Sequence, residues 1–475
     1  MLKKLIFLPC LLAAVALQAQ QRPIVQTKFT ADPAPIVVDS VVYLFVSHDA
    51  DDAPEGMAAF KMRDWLLYSS ADLVNWTDHG SVVDLSAFSW LSPEEQANGA
   101  WALQVVQKGD MYYMYAPVHM HGIGVLVSDD LYGPWTDPLG RPLISADYDS
   151  IDPTVLVDDD GSAYLYWGNP NLWYVKLNDD MISYSGTPHK DAKIRKTEGE
   201  TSNFDYQEGP WIFKRHGKYY LAYASTCCPE GIGWAWSDKP FDNWTYGGVL
   251  MDHDSRSSGN HPGICDFLGN TYCFGFNYYL NSLLTDKHHE RRSVCLTQLL
   301  FNPDGSIQQC PWWEEGVAVA PVQTFYPYER VEAETMAWSK GVKTKYVLDS
   351  LVNENEDGSL IQVCQNPDIL VTDIDDGDYT MVRAVDLGVK GAKKIEADIA
   401  CSEALDDKGS KIRKQSGIEV HIDSINGKTI AVLQVPKPGK TRKCSLGGRV
   451  KGVHDLYFVF RGEGYDFDWW RMIPR

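Results

Sequence analysis

Three acidic residues recur at one position of a repeating pattern, and they are where chemistry would be sought in this sequence. The pattern is a short aromatic strand signal: Tyr43-Leu44-Phe45-Val46, Tyr112-Tyr113-Met114-Tyr115, Tyr164-Leu165-Tyr166-Trp167, Tyr219-Tyr220-Leu221-Ala222 and Tyr272-Cys273-Phe274-Gly275. Eleven residues before Tyr43 stands Asp32, twelve before Tyr164 stands Asp152, and eleven before Tyr219 stands Glu208. The same step leads back from Tyr112 to Trp101 and from Tyr272 to His261. In a radial repeat, equivalent positions lie at equal distance from the axis. Three carboxylates, an imidazole and an indole would then share one pocket. A lone Asp-Pro is commonly a turn or strand-start residue. Three acids at one phase are harder to explain that way, because burying carboxylates without partners is costly.

Opposed carboxylates suit hydrolysis of a glycosidic bond. One protonates the leaving oxygen while the other activates a water across the ring, and an inverting pair stands roughly 6.5–9.5 Å apart. The acid must keep its proton near neutral pH, which burial and a neighbouring like charge both promote. A third carboxylate supplies that charge and can orient the acid. Trp101 offers a stacking wall for a sugar ring.

The elements that must position these groups are strands. The aromatic segments start 69, 52, 55 and 53 residues apart, and turn signals such as Asp158-Asp159-Asp160-Gly161 and His216-Gly217-Lys218 precede them. A weaker repeat follows in three units, Asn75-Trp76-Thr77, Pro134-Trp135-Thr136 and Asn243-Trp244-Thr245. About fifty residues per unit, strand-rich and without helical periodicity, is what one four-stranded propeller blade requires. The expected fold is all-β: a five-bladed β-propeller over residues 21–325, then a smaller domain over 326–475.

Composition narrows the partner. The chain has 475 residues, is 12% aromatic and carries a net charge of −21. That charge argues against nucleic acid, whose phosphates need clustered Lys and Arg, and against an acidic substrate. A neutral one fits best. Lys3 and Lys4 precede an apolar run from Leu5 to Leu17, the form of a secretory signal peptide over residues 1–20 and too short for a membrane span. The mature protein is expected to be secreted or periplasmic. Of ten cysteines, Cys10 lies in that leader, and the nine that remain include no C-x-x-C pair. They do not form a disulfide framework of the small-domain type, and most are read as small buried apolar residues.

On these residues the first 325 positions resemble glycoside hydrolase family 43. The carrying stretches are Ala31-Asp32-Pro33-Ala34-Pro35, Ile151-Asp152-Pro153-Thr154, Glu208-Gly209-Pro210-Trp211 and Asn260-His261-Pro262-Gly263. The resemblance implies Asp32 as general base, Glu208 as general acid and Asp152 as the residue that orients the acid and raises its pKa. It implies no cofactor for the chemistry. His261 would lie at the bottom of the channel near a bound metal ion or water, or be a hydrogen-bonded structural residue. Arg292 corresponds to an arginine that reaches the sugar at the cleavage subsite, a surface cation being the alternative. Trp90 would line the same pocket.

The second domain opens at Glu329-Arg330-Val331-Glu332-Ala333-Glu334. Asn426-Gly427 separates two alternating strands, a hairpin signal, and the whole reads as a β-sandwich of jelly-roll type. It resembles a family 6 carbohydrate-binding module, which implies a structural calcium on Glu332, Glu334 and Asp468. Tyr379 stands where such modules have a Trp platform, and Asp466 where they have an Asn, which changes the hydrogen-bond pattern offered to a sugar. The resemblance implies an inverting, exo-acting hydrolase of neutral plant polysaccharide such as arabinoxylan, xylan or arabinan. An α-L-arabinofuranosidase is the first expectation and a β-xylosidase the second. A non-catalytic polysaccharide-binding protein is the alternative of another class.

Overall fold

The computed structural model describes residues 23–56, 59–191, 194, 203–347, 353–354, 360–361, 368–401, 416–436 and 440–475. The expected leader lies outside the described residues. Strands dominate, and the single α-helix among the described residues is the short Tyr279–Leu284. No helix among these residues is long and apolar enough to cross a membrane.

The first part of the chain forms five antiparallel sheets, each made of consecutive strands. Their first strands are Phe29–Val38, Gln104–Lys108, Thr154–Val157, Tyr206–Arg215 and Gly263–Phe267. Each of these packs beside the next, and Gly263–Phe267 returns to Phe29–Val38. The aromatic signals are the second strands, Val41–Asp49, Met111–Val118, Ala163–Trp167, Lys218–Ser225 and Asn270–Asn277. A second strand has neighbours on both edges and sheets over both faces, so it needs apolar side chains on both sides. The weaker Trp repeat fills the gaps between sheets. Trp76, just before the last strand of the first sheet, packs edge-on against Phe274 of the fifth at 6.1 Å. The Trp135 ring beside the second sheet meets Phe45 of the first at 6.1 Å, and Trp244 before the last strand of the fourth sheet meets Tyr166 of the third at 6.2 Å. All three indoles are at most 2% exposed.

Two of the first strands are irregular at their starts. The ladder of Phe29–Val38 shifts register between Ala31 and Ala34, and that of Tyr206–Arg215 shifts between Glu208 and Trp211. Proline follows in both places, as Pro33 and Pro210, and cannot donate to a ladder. A bulge there re-aims the side chain before it. Asp32 (φ 49°) and Gly209 (φ 55°), at the two bulges, adopt the left-handed backbone, as does Asp152 (φ 55°) just before Thr154–Val157.

The second part of the chain forms two sheets around one apolar core. One runs Lys343–Tyr346, Ile369–Thr372, Tyr465–Pro474, Ala392–Cys401, Arg442–Val450; the other runs Trp338–Lys340, Tyr379–Asp386, Val453–Arg461, Gly417–Ile422, Lys428–Gln434. The Asn426-Gly427 hairpin is present, with Gly427 N–H donating to Ser424 O at 2.8 Å. The Asn75-Trp76-Thr77 turn carries the contact between the two parts. Trp76 and Met336 exchange both backbone hydrogen bonds at 3.0 Å, and the Asn75 amide donates to Arg383 O at 3.0 Å and accepts from Arg383 N–H at 2.8 Å.

Candidate active site

Asp32, Trp101, Asp152, Glu208, His261 and Arg292 all line one cavity of about 240 Å³. The residues found by repeat phase therefore converge, three carboxylates among them from three separate sheets.

Asp152 is 5% exposed and accepts the Gly209 N–H at 2.9 Å, which ties it to the backbone beside Glu208. Burial, and then the charges of Glu208 and Asp32, push its carboxyl well above the usual aspartate range. Burial also raises Glu208, while hydrogen bonds from Glu230 and Asn169 hold it back and Asp32 adds to the rise. The Asn169 amide donates to Glu208 Oε2, and Gln207 fixes that amide by donating to Asn169 Oδ1 at 3.0 Å.

Asp32 is held differently. Arg292 Nη1 donates to Asp32 Oδ1 at 2.9 Å. The same guanidinium grips Asp49 through Nε at 2.9 Å and Nη2 at 2.8 Å, and the Arg292 backbone N–H adds 2.8 Å. The rings of Phe60 and Phe276 flank it, each centroid 4.9 Å from Cζ. Burial works against the Arg292 charge, but Asp32 and Asp49 outweigh it and keep it protonated. Arg292 is 5% exposed, so the surface-cation alternative is ruled out. His261 Nδ1 lies 4.0 Å from Asp32 Oδ1, and burial lowers its pKa, so its ring is neutral at pH 7. Trp101 stacks on His119 with centroids 3.9 Å apart.

Three placements differ from the sequence reading. Trp90 packs against Phe88 at 5.3 Å and is not among the residues lining the cavity. Glu334 leaves the acidic cluster of the second part, where Glu332, Asp368 and Asp468 bring carboxylate oxygens within 4.8 Å of one another. The strand Val331–Glu332 ends at Glu332, and Thr335 N–H closes a turn onto Glu332 O at 3.0 Å, so Glu334 no longer shares its face. Cys227 and Cys228 form a disulfide with each other and line the cavity, whereas Cys273, Cys295 and Cys310 are buried thiols as expected.

Several cavity residues lie outside the repeat phase: Phe60, Glu230, Asn260, Tyr278 and Glu290. Most sit in the loop between the second and third strands of a sheet. In an antiparallel sheet that loop emerges beside the start of the first strand.

The description "Glycosyl hydrolases family 43" matches residues 20–307, and "Carbohydrate binding module (family 6)" matches residues 332–474. An arabinoxylan arabinofuranohydrolase of Paenibacillus polymyxa is 31% identical over 95% of this chain and 74% of its own length. A xylosidase/arabinosidase of Bacteroides ovatus is 29% identical over 61% of this chain and 98% of its own. Among solved structures, a family 43 arabinoxylan arabinofuranohydrolase from Bacillus subtilis, in complex with cellotetraose, superposes with a TM-score of 0.75 at 27% identity, over 95% of this chain and 97% of that one. The chain belongs to glycosyl hydrolase family 43.

Proposed function

We propose that this glycosyl hydrolase is an inverting, exo-acting α-L-arabinofuranosidase that removes arabinose from arabinoxylan. The observation that carries the reading is the meeting of Asp32, Asp152 and Glu208 around one cavity of about 240 Å³. A space of that size suits one sugar unit, which supports exo action. Glu208 gives its proton to the glycosidic oxygen as the C–O bond breaks, and Asp32 takes the proton of the water that attacks the anomeric carbon. Asp152 holds the Glu208 segment through the Gly209 N–H, while burial and the Asp32 charge keep the acid protonated. Trp101 forms the stacking wall. The cyclic order of the five sheets, with each repeat Trp on its neighbour, supports a five-bladed propeller; the two sheets around one core support a jelly-roll sandwich. The leader over residues 1–20 supports export.

Proton NMR of arabinoxylan digests tests the activity. Free arabinose, first seen as the anomer opposite to that of the linkage, is the expected result; xylose as the sole product would replace the reading with the β-xylosidase one, an activity that the name of the Bacteroides ovatus relative, a xylosidase/arabinosidase, also includes.

The second unit is proposed to hold a structural calcium on Glu332, Asp368 and Asp468. Arg330 is the cation that contacts all three. One positive against three negative charges leaves −2, and burial with the neighbouring Asp368 carboxylate pushes Asp468 up to about 7. Hard oxygen donors short of positive charge fit a divalent ion. The ion would tie the first strand of the unit to its last. Calcium at a hundredfold excess over its dissociation constant is expected to stabilise the protein by about 2.7 kcal/mol. Thermal unfolding with and without calcium measures this, and Asp468→Asn is expected to lose most of the gain. Sugar binding by the unit draws less support. Tyr379 lines a cavity of about 350 Å³ shared with Leu73, Val74 and Leu296 of the first part, and Asp466 pairs with Lys345 at 2.8 Å on the other sheet.

A further inference from the structure

The active site holds a fourth carboxyl that the mechanism above does not use. Glu230 is 1% exposed and lines the same cavity as Glu208. It follows the Cys227–Cys228 disulfide and Pro229 in the loop between strands Lys218–Ser225 and Ile232–Ser237, which brings it to the start of the Glu208 strand. Its Oε2 accepts the backbone N–H of Asn260 at 3.0 Å, and its carboxyl lies within hydrogen-bonding reach of Glu208. Two carboxyls this close together and shielded from water do not both ionise, so at least one proton stays on the pair.

Which residue keeps that proton follows from the surroundings. Glu208 accepts from Asn169, and Arg292 lies near enough to favour its charge; Asp32 opposes it. Glu230 has the single Asn260 N–H against burial and the charges of Glu208 and Asp152, and its carboxyl is pushed up to about 10. Tyr206 and the neutral His261 are the other titratable groups beside this pair.

We propose that Glu230 is a positioning residue for hydrolysis: as a carboxylic acid it donates a hydrogen bond to Glu208 and stabilises the carboxylate that Glu208 becomes when its proton passes to the leaving oxygen. The inference rests on Glu208 being the general acid. No proton leaves Glu230 during the reaction. The C–O bond breaks, the leaving oxygen gains the Glu208 proton, and the carboxylate formed is met by a donor already in place. Preorganised donors of this kind act where charge develops and need no rearrangement at the moment of reaction.

Glu230→Leu and Glu230→Gln test the proposal together. Leu removes the donor, so Glu208 becomes a weaker acid; the basic limb of the kcat/KM profile moves to higher pH, and kcat on arabinoxylan falls about ten- to a hundredfold with KM little changed. Gln keeps an N–H donor and is expected to restore both most of the way. A limb that moves to lower pH would mean Glu230 is ionised in the wild type and would overturn the proposal. So would loss of kcat with an unmoved limb and no rescue by Gln, the mark of a merely structural role. Difference infrared spectroscopy of wild type against Glu230→Gln at pH 7 gives a reading independent of turnover. A protonated-carboxyl C=O band present only in the wild type supports the assignment, and its absence overturns it. Wild-type protein that released no pentose would sink the hydrolase reading, and the infrared band would still decide the state of Glu230.

Discussion

Glu208→Gln is expected to lower kcat on arabinoxylan by about 10²–10⁴, the range of one general acid, and to leave substrate affinity almost unchanged. The loss should depend on the leaving group. An aryl pentoside with an acidic phenol departs without a proton, so the deficit should shrink to a small fraction on nitrophenyl substrates and stay large on the polysaccharide. The basic limb of the pH profile should also disappear, because it reports the ionisation of Glu208. Stability provides the control. Glu208 has its pKa raised on folding, so its contribution is full below the ordinary value of 4.5 and is lost as pH rises through the folded value. A neutral Gln carries no such loss, and the variant is expected to unfold at or above the wild-type temperature at pH 7. A variant equally impaired on activated and unactivated substrates, or unimpaired on both, would remove Glu208 from the acid's role.

The residues most legible in the sequence were those at the starts of the five first strands, and the reason is geometric. Strand Tyr206–Arg215 and strand Phe29–Val38 are separated from their aromatic partners by tight turns of nearly constant length, so counting back from Tyr219 or Tyr43 lands on Glu208 or Asp32. The loops between second and third strands obey no such count. The fifth sheet inserts a helix there before reaching Glu290 and Arg292, and the second sheet spends only a few residues around His119. Arg292 was found through family resemblance and not through phase. Asn169 and Glu230 carried no signal, because neither residue type nor spacing distinguishes them from any surface loop. Glu334 misled for a different reason. Glu332 and Glu334 would share a face in an extended strand, and only the turn closed by Thr335 separates them. Asp368, which takes its place beside Asp468, follows residues 362–367, outside the described set, and nothing in the sequence ties it to the chain end. Asn75-Trp76-Thr77 was legible as a repeat but not as the edge on which the second part docks, since its extra hydrogen bonds go to residues 260–310 positions away.

Arg292→Met is expected to destabilise the protein by about 3–5 kcal/mol, the cost of breaking a buried ion pair by removing one partner. Asp49 is fully buried and Asp32 nearly so, and Arg292 is the cation bonded to both. Met preserves much of the stem between Phe60 and Phe276, so lost packing is a minor part of the change. Activity should fall with stability, because Asp32 loses the guanidinium that holds its Oδ1 and so orients the carboxylate that must deprotonate the water. A second substitution separates the two effects. Asp49 already has its carboxyl raised by burial, with Arg292 pulling the other way. Asp49→Asn in the Arg292→Met background therefore removes an uncompensated charge and is expected to recover part of the stability, whereas Asp49→Asn alone lowers it. The double variant should remain inactive, since nothing replaces the hydrogen bond to Asp32. Urea unfolding of the four proteins measures the coupling, and hydrolysis rates measured below the transition show whether chemistry returns with the fold. Equal and additive losses for the two substitutions would mean that Arg292 and Asp49 do not act as a pair, and the anchoring of Asp32 would need another source.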